Sequence, residues 1–474
     1  MHLTKILYIL IITSCLFSQT YFDRIFGGNV QFGDARSMGL ANSYTTSGTT
    51  SSITSRNPAR LSYIANGEDG VLVDFQFNLR SYYERRSINI LDSFGDFLTE
   101  TDYVSNQHGH FYNSLGFVIN RESYNNEKLK FGIGVSLMPL TSFNYNYKEE
   151  VRFRNTDIDT PGDIGIVDAA LGFHVYNNEG TINIASIGLG VSYDEKSGKR
   201  PISFGLSFNK LLRTTISDQV AIDTVFNSIN PNVYENLSSF QSINQSIETK
   251  SKDYISISLE APLLANKNST MVIAFEPKVL MSSSSMGYNS GISNLSGLPW
   301  FIDFDETTNM YNLQINGVEY FKPKKFTFGL RYNELQYSGS LMVFEIMKEF
   351  YSEYDLSYVS NNNENLNFKL DDVMHCKIAF EHKFRLGNSI RMGLAYKTAM
   401  VNQLSPLTNF TMGSNKRVNK NLDIDFALSY YITNYRYDDI FPSFAPNNQT
   451  NCNEYCEKIN ESNMSISTTF KWEF

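Results

Sequence analysis

Beyond residue 20 the sequence has no continuous apolar run of the kind a membrane helix needs, about 18 residues. An exported chain of this composition is therefore either soluble or a β-barrel. Cysteine is scarce, with Cys15, Cys376, Cys452 and Cys456 the only four, which excludes a fold stapled by many disulfides. Cys452 and Cys456 lie close enough to close a small loop in an oxidising compartment, or to remain two thiols; a bridge across one helical turn carries strain. Positive charge is in deficit, and the net charge of -9 is spread along the chain, which excludes nucleic acid as a partner. Catalytic signatures are missing too. "GYNSG" (287–291) sets its serine one position too late for a nucleophile elbow. The glycines at 132, 134, 188 and 190 lie in alternating runs rather than before a helix. His108 and His110 have no third ligand at a recognisable interval. No enzyme, no cofactor and no metal is expected.

What is present begins with an export signal. Lys5 precedes the apolar run 6–12, then Ser14, Cys15 and Ser18, so residues 1–19 read as a secretory signal peptide cleaved near Gln19. Residues 12–15 also fit a lipoprotein box, in which Cys15 becomes the lipidated first residue.

From residue 70 onward the organising signal is strict alternation. Val71, Val73, Phe75, Phe77 and Leu79 interleave with Leu72, Asp74, Gln76, Asn78 and Arg80. Period two means strand. The pattern recurs at 202–208, 255–261, 326–332, 422–430 and 464–474, and further strands begin near 108, 128, 167, 181, 270, 338, 373, 390 and 434. Most have the length of about nine to eleven residues that crosses a bilayer at a tilt. Short turns alternate with long polar stretches at 84–107, 214–250, 282–320, 351–371 and 402–420, the asymmetry of an outer-membrane barrel. A soluble sandwich or propeller produces the same alternation, so context decides: export, unequal loops, no blade-length repeat and the C-terminal "ISTTFKWEF". That ending, with Phe470, Trp472 and Phe474 on one face, resembles the signature by which the barrel-assembly machinery recognises its substrates. The count reaches about fifteen strands, and parity requires an even number. The expectation is an all-β, transmembrane antiparallel barrel of 14 strands, with 16 as the alternative, in the outer membrane of a Gram-negative-type bacterium and in contact with its lipid.

Residues 20–69 stand outside the pattern and are rich in Gly, Ser and Thr. By composition they are a disordered leader. Their order of residues suggests otherwise: Gly33, Ala35, Arg36, Met38 and Gly39, a stretch of small residues, then Asn57, Pro58, Ala59 and Leu61. This resembles the start of the FadL/TodX family of outer-membrane hydrophobic-compound transporters, and barrels of type IX secretion systems carry a similar pattern. The resemblance implies that residues 20–69 form a hatch inside a barrel of residues 70–474, with Asn57, Pro58 and Ala59 near its tip. A second match, "FGIGVSLMPLTSFNYNY" (131–147), resembles the family's third strand, where a kink opens the wall sideways; Pro139 holds that position or merely ends a strand at a loop. The inward faces, with Asp74, Arg80, Glu260, Arg331, Arg391, Asp423, Asp425, Lys471 and Glu473, make a polar interior that suits water or a plug as well as an apolar ligand. An apolar pocket is still available from the loops, through Leu298, Trp300, Phe301 and Ile302. The expected activity is passive uptake of hydrophobic small molecules such as long-chain fatty acids. The alternative is a structural barrel that holds secretion-system proteins.

Overall fold

The computed structural model describes residues 27–474 except 31, 66–68, 92–93, 95–96, 125, 153–169, 194–200, 225–240, 264–267, 282, 287–301, 306–309, 314–319, 334–338, 354, 360–364, 385–386, 402–403 and 438–456. Fourteen antiparallel strands close into one barrel: β1 (Asp69–Leu91), β2 (Phe97–Ser123), β3 (Asn126–Ser142), β4 (Thr181–Tyr193), β5 (Ile202–Leu211), β6 (Lys252–Pro262) and β7 (Ser269–Glu276). They continue as β8 (Lys324–Asn333), β9 (Leu341–Phe350), β10 (Val373–Lys383), β11 (Ser389–Lys397), β12 (Leu407–Arg417), β13 (Leu422–Tyr437) and β14 (Glu457–Glu473). Each strand pairs with the next, and β14 closes on β1 from Glu473 opposite Leu72 onward. Among the described residues no helix is long and apolar enough to cross a membrane.

The polarity of the wall fixes its solvent. In β6 Ile257 is 40% exposed while the next residue, Ser258, is 3% exposed. In β5 Ile202, Phe204, Leu206 and Phe208 face outward, and Ser203, Ser207 and Asn209 are buried. A soluble sandwich buries its apolar face; here the apolar face is the outer one, a surface far larger than water tolerates, and lipid is the solvent that suits it. The rim that carries Asp69 and Glu473 has the short connections, such as 123–126 and 383–389, and the opposite rim has the long ones. In an outer-membrane barrel these are the periplasmic and extracellular rims respectively.

All five stretches expected as long polar loops contain strand, and in two of them, 84–107 and 402–420, that strand belongs to the wall. Residues 84–91 and 97–107 form the upper part of the β1–β2 hairpin, which pairs up to Leu91 opposite Phe97. Above the bilayer neither face has to be apolar, so alternation of hydrophobicity vanishes while the ladder continues. Within 402–420 lies β12, whose outward side is only thinly apolar, with Phe410 and Met412, against inward Asn409 and Thr411. The strand expected near 167 is Ala170–Glu179, which is not in the wall, and the one near 434 is the upper half of β13. With Tyr145–Arg152, Thr215–Thr224, Gln241–Thr249 and Ser283–Met286, the strand Ala170–Glu179 builds a five-stranded sheet that continues the wall hairpins on the extracellular side.

The N-terminal stretch lies inside. Gly28–Asn29 pairs with Ser142 and Thr141 of β3. The helical turns α1 (Ala35–Gly39) and α2 (Tyr44–Ser47) follow, then 3-10 turns at Ser51–Thr54 and Pro58–Tyr63. Asp34 caps α1 by accepting from the Ser37 amide at 2.5 Å.

Candidate functional site

Short helical turns cannot hold themselves in place, so the wall must hold them. Close backbone approach comes first. Gly132 and Gly134 of β3, Gly188 and Gly190 of β4 and Gly205 of β5 face the stretch from Thr54 to Ser62. A methyl added at Gly205 would stand 2.0 Å from the Ala59 nitrogen, and one at Gly132 would stand 2.1 Å from the Leu61 carbonyl oxygen. Both contacts are backbone, so nothing can swing away. The glycines are a groove cut into the wall for the lumenal segment, a role their alternating spacing did not disclose.

Inward polar side chains supply the second grip. Asn57 donates from Nδ2 to the Thr45 carbonyl at 2.8 Å and to Glu260 Oε1 at 2.6 Å, and Glu260 is paired through Oε2 with Arg331 at 2.6 Å. The Ala59 amide donates to Ser258 Oγ at 2.8 Å, and Ser256 Oγ donates to the Ser55 carbonyl at 2.6 Å. Asp74 accepts from both the amide and the hydroxyl of Ser51. Arg36 meets Glu381 at 2.5 Å, and Glu381 in turn holds Arg391, which reaches Asp425 at 2.6 Å. Burial pulls the Arg36 guanidinium down, but the surrounding carboxylates, Glu381 first and then Asp34 and Asp425, together hold it above its usual range. Burial raises the Tyr44 phenol, which stays protonated while it donates to Asn42. Of the polar interior read from the sequence, Asp74, Glu260 and Arg331 bind the N-terminal segment directly, Arg391 and Asp425 join it through Glu381, and Asp423, Lys471 and Glu473 pair within the wall.

The third feature is a seam in the wall. Pairing between β2 and β3 runs from Ser123 opposite Asn126 to Leu115 opposite Leu137 and stops, although β2 extends back to Phe97 and β3 on to Ser142. On its other side β3 stays paired with β4 and is irregular only between Pro139 and Thr141. Pro139 has no amide hydrogen to give to a neighbour. Side chains span the seam instead: Asn144 Nδ2 lies 3.3 Å from His110 Nδ1, and Asn106 Oδ1 accepts from the Lys148 amide at 3.1 Å. Behind it is an apolar cluster of Met138, Leu140, Phe143, Ile182, Ile184 and Leu211, filled from the lumen by Val30 and Phe32.

No family model matches the sequence, and no curated protein matches it. Solved structures do match. A FadL homologue from Pseudomonas aeruginosa superimposes with a TM-score of 0.57 at 10% identity, covering 94% of this chain and 99% of that one. The toluene transporter TodX of P. putida superimposes with a TM-score of 0.53 at 12% identity, again covering 94% and 99%. The CymD monoaromatic hydrocarbon channel reaches 0.50 at 10% identity with the same coverage. The chain has the FadL/TodX fold.

Within this fold the remaining sequence-derived positions find their places. The FadL/TodX barrel ends here on β14, where the Phe470 and Trp472 rings stack 6.1 Å apart on the outer face and Phe474 is exposed at the periplasmic rim. His108 and His110 lie half-buried on one side of β2, beside the seam, and among the described residues no cluster fit for a metal occurs. Cys15, Cys452, Cys456 and the loop residues Leu298, Trp300 and Phe301 lie outside the described residues, and of Ile302 only the strand is described. Cys376, on β10, is free.

Proposed function

We propose that the protein is an outer-membrane channel for passive uptake of hydrophobic small molecules, long-chain fatty acids among them. The observation that carries this reading is the end of β2–β3 pairing at Leu137 directly over an apolar cluster that the chain's own Val30 and Phe32 occupy. A ligand arriving from outside displaces that short stretch, takes its place, and leaves sideways into the bilayer past Pro139. Residues 1–19 serve as the signal, 20–69 as the hatch and 70–474 as the barrel. The hatch divides in two: residues 34–64, with Asn57, Pro58 and Ala59, are clamped and seal the periplasmic side, whereas the stretch around Val30 rearranges. Phe470, Trp472 and Phe474 present the barrel to the assembly machinery.

The test is a reversible lock on the seam. In His110→Cys/Asn144→Cys, oxidation is expected to reduce uptake of radiolabelled oleate to the level of cells lacking the barrel, and reduction to restore it. Full uptake by the oxidised form rejects lateral release. The firm clamping of 34–64 also favours a second reading, a permanently plugged barrel that holds secretion-system proteins on its loops. Stoichiometric protein partners after purification in mild detergent support that reading; bound fatty acids or hydrocarbons support the channel.

A further inference from the structure

The apolar cluster is not the only space beside the lumenal segment. A cavity of about 130 Å³ lies between the end of α1 and the wall strands β1, β12, β13 and β14, bounded on one side by Thr398, Ala399, Met400, Leu404 and Ser405. Its lining is divided. Met38, Met400, Leu404 and Leu407 give it an apolar side, and Arg80 and Lys397 bring two cations to it.

The buried cations of the wall are matched with acids, whereas Arg80 and Lys397 are half-buried. Arg86, Lys325, Arg331, Lys377 and Arg391 each pair with a carboxylate of the chain. Arg80 does not. Its Nη1 donates to the Tyr82 hydroxyl at 2.8 Å and its Nε to Ser465 Oγ at 3.3 Å, both neutral, and among the described residues no carboxylate forms an ion pair with it; Lys397 forms none within ion-pair distance, although its charge acts on Glu349. Glu461, the acid in the cavity lining, accepts from the Tyr435 hydroxyl at 2.6 Å. A guanidinium has five donors in a planar fork that matches a carboxylate, and Arg80 spends two of them.

We propose that this cavity binds a small organic carboxylate, with the anion on Arg80, Lys397 near it, and the hydrocarbon part against Met38, Met400 and Leu404. Size sets the class. A cavity of about 150 Å³ accommodates benzene, and this one is slightly smaller but not enclosed, so a single ring or a chain of about six carbons fills its apolar side while the carboxylate stands at its mouth. The site is separate from the cluster behind the seam. It deepens the channel reading by adding a short-acid substrate, and rests on that reading only for its meaning as an entry site.

Binding is measured without transport, on the full-length barrel purified in detergent, by titration calorimetry with benzoate, benzyl alcohol and sulfate. One benzoate per barrel is expected, bound at least tenfold more tightly than benzyl alcohol or sulfate. Arg80→Gln is expected to weaken benzoate at least tenfold, and Lys397→Gln, at the edge of the cavity, by a smaller factor. Unchanged heat-modifiable gel mobility shows that each variant is folded. Equal affinity for benzyl alcohol, equal affinity for sulfate, or benzoate binding unaltered in Arg80→Gln overturns the proposal. Because oleate uptake plays no part in the titration, failure here leaves the channel reading standing, and failure of the seam lock leaves this site standing.

Discussion

Gly205 shows how much of the interior is decided by single atoms. A methyl there would lie 2.0 Å from the Ala59 nitrogen and 2.2 Å from the Pro58 carbonyl carbon, so Gly205→Ala must push the hatch away from β5. The outward face of β5 is untouched, and the barrel is expected to fold with normal heat-modifiable mobility while the hatch becomes sensitive to added protease. A hatch equally protected in the variant would show that the contact is not needed. Asn57→Ala removes two donations, to Thr45 and to Glu260, and leaves a buried carboxylate with one partner fewer. A buried acceptor deprived of its donor costs about 1–3 kcal/mol. Ser51–Asp74 and Arg36–Glu381 remain to hold the segment, so Asn57→Ala is expected to raise hatch proteolysis several-fold without releasing the hatch altogether. At this scale the sequence was half legible. Asn57, Pro58 and Ala59 stood out by their order, and the polar inward faces suggested a plug. Gly132, Gly134, Gly188, Gly190 and Gly205 looked like filler in strands because the backbone they receive lies 70 or more positions earlier in the chain, beyond the reach of any local pattern.

Among the elements, β3 and the stretch around Val30 form one unit. β3 gives up its partner β2 beyond Leu137, and the Val30 amide donates to the Leu140 carbonyl at 3.1 Å, so the lumenal chain takes up part of the bonding the wall has relinquished. Phe32 is fully buried in the cluster behind the seam. Truncating a buried Phe to Ala costs about 3–5 kcal/mol, part of it from the void left behind. Here the void is the proposed ligand site, so Phe32→Ala is expected to bind toluene more tightly than the parent in titrations of the purified barrel, since less of the chain has to be displaced. Toluene binding that falls or stays the same would place the ligand elsewhere. Pro139 marked this unit in the sequence, although the period-two pattern alone left it equally readable as a strand end. β12 escaped notice for a related reason: apart from Phe410 and Met412, its membrane-height residues are small or polar, and Gly39 of the hatch packs against Gly413 where a larger inward residue would show the face.

For the molecule as a whole, height relative to the bilayer decides what a substitution costs. β1 has 23 residues, and at roughly 3.3 Å per residue its length is about 75 Å, far more than a tilted crossing of an apolar band about 25 Å tall requires. The β1–β2 hairpin therefore stands well above the membrane, which is why 84–91 and 97–107 carried no hydrophobic pattern and yet are strand. Two outward positions separate the zones. Ile257 sits midway along β6, at bilayer height, and Leu98 is near the tip of the tall hairpin; both side chains are exposed. Arginine on the lipid face at the midplane costs about 2–4 kcal/mol, whereas surface substitutions in water usually stay within about 0.5 kcal/mol. Ile257→Arg is therefore expected to lower the guanidinium unfolding free energy in phospholipid vesicles by about 2–4 kcal/mol, and Leu98→Arg to leave it nearly unchanged. In a barrel surrounded by water on all sides the two substitutions would cost the same. Equal costs in vesicles would mean that the exposed apolar belt of β5 and β6 does not face lipid, and the lateral path past Pro139 would then lead nowhere.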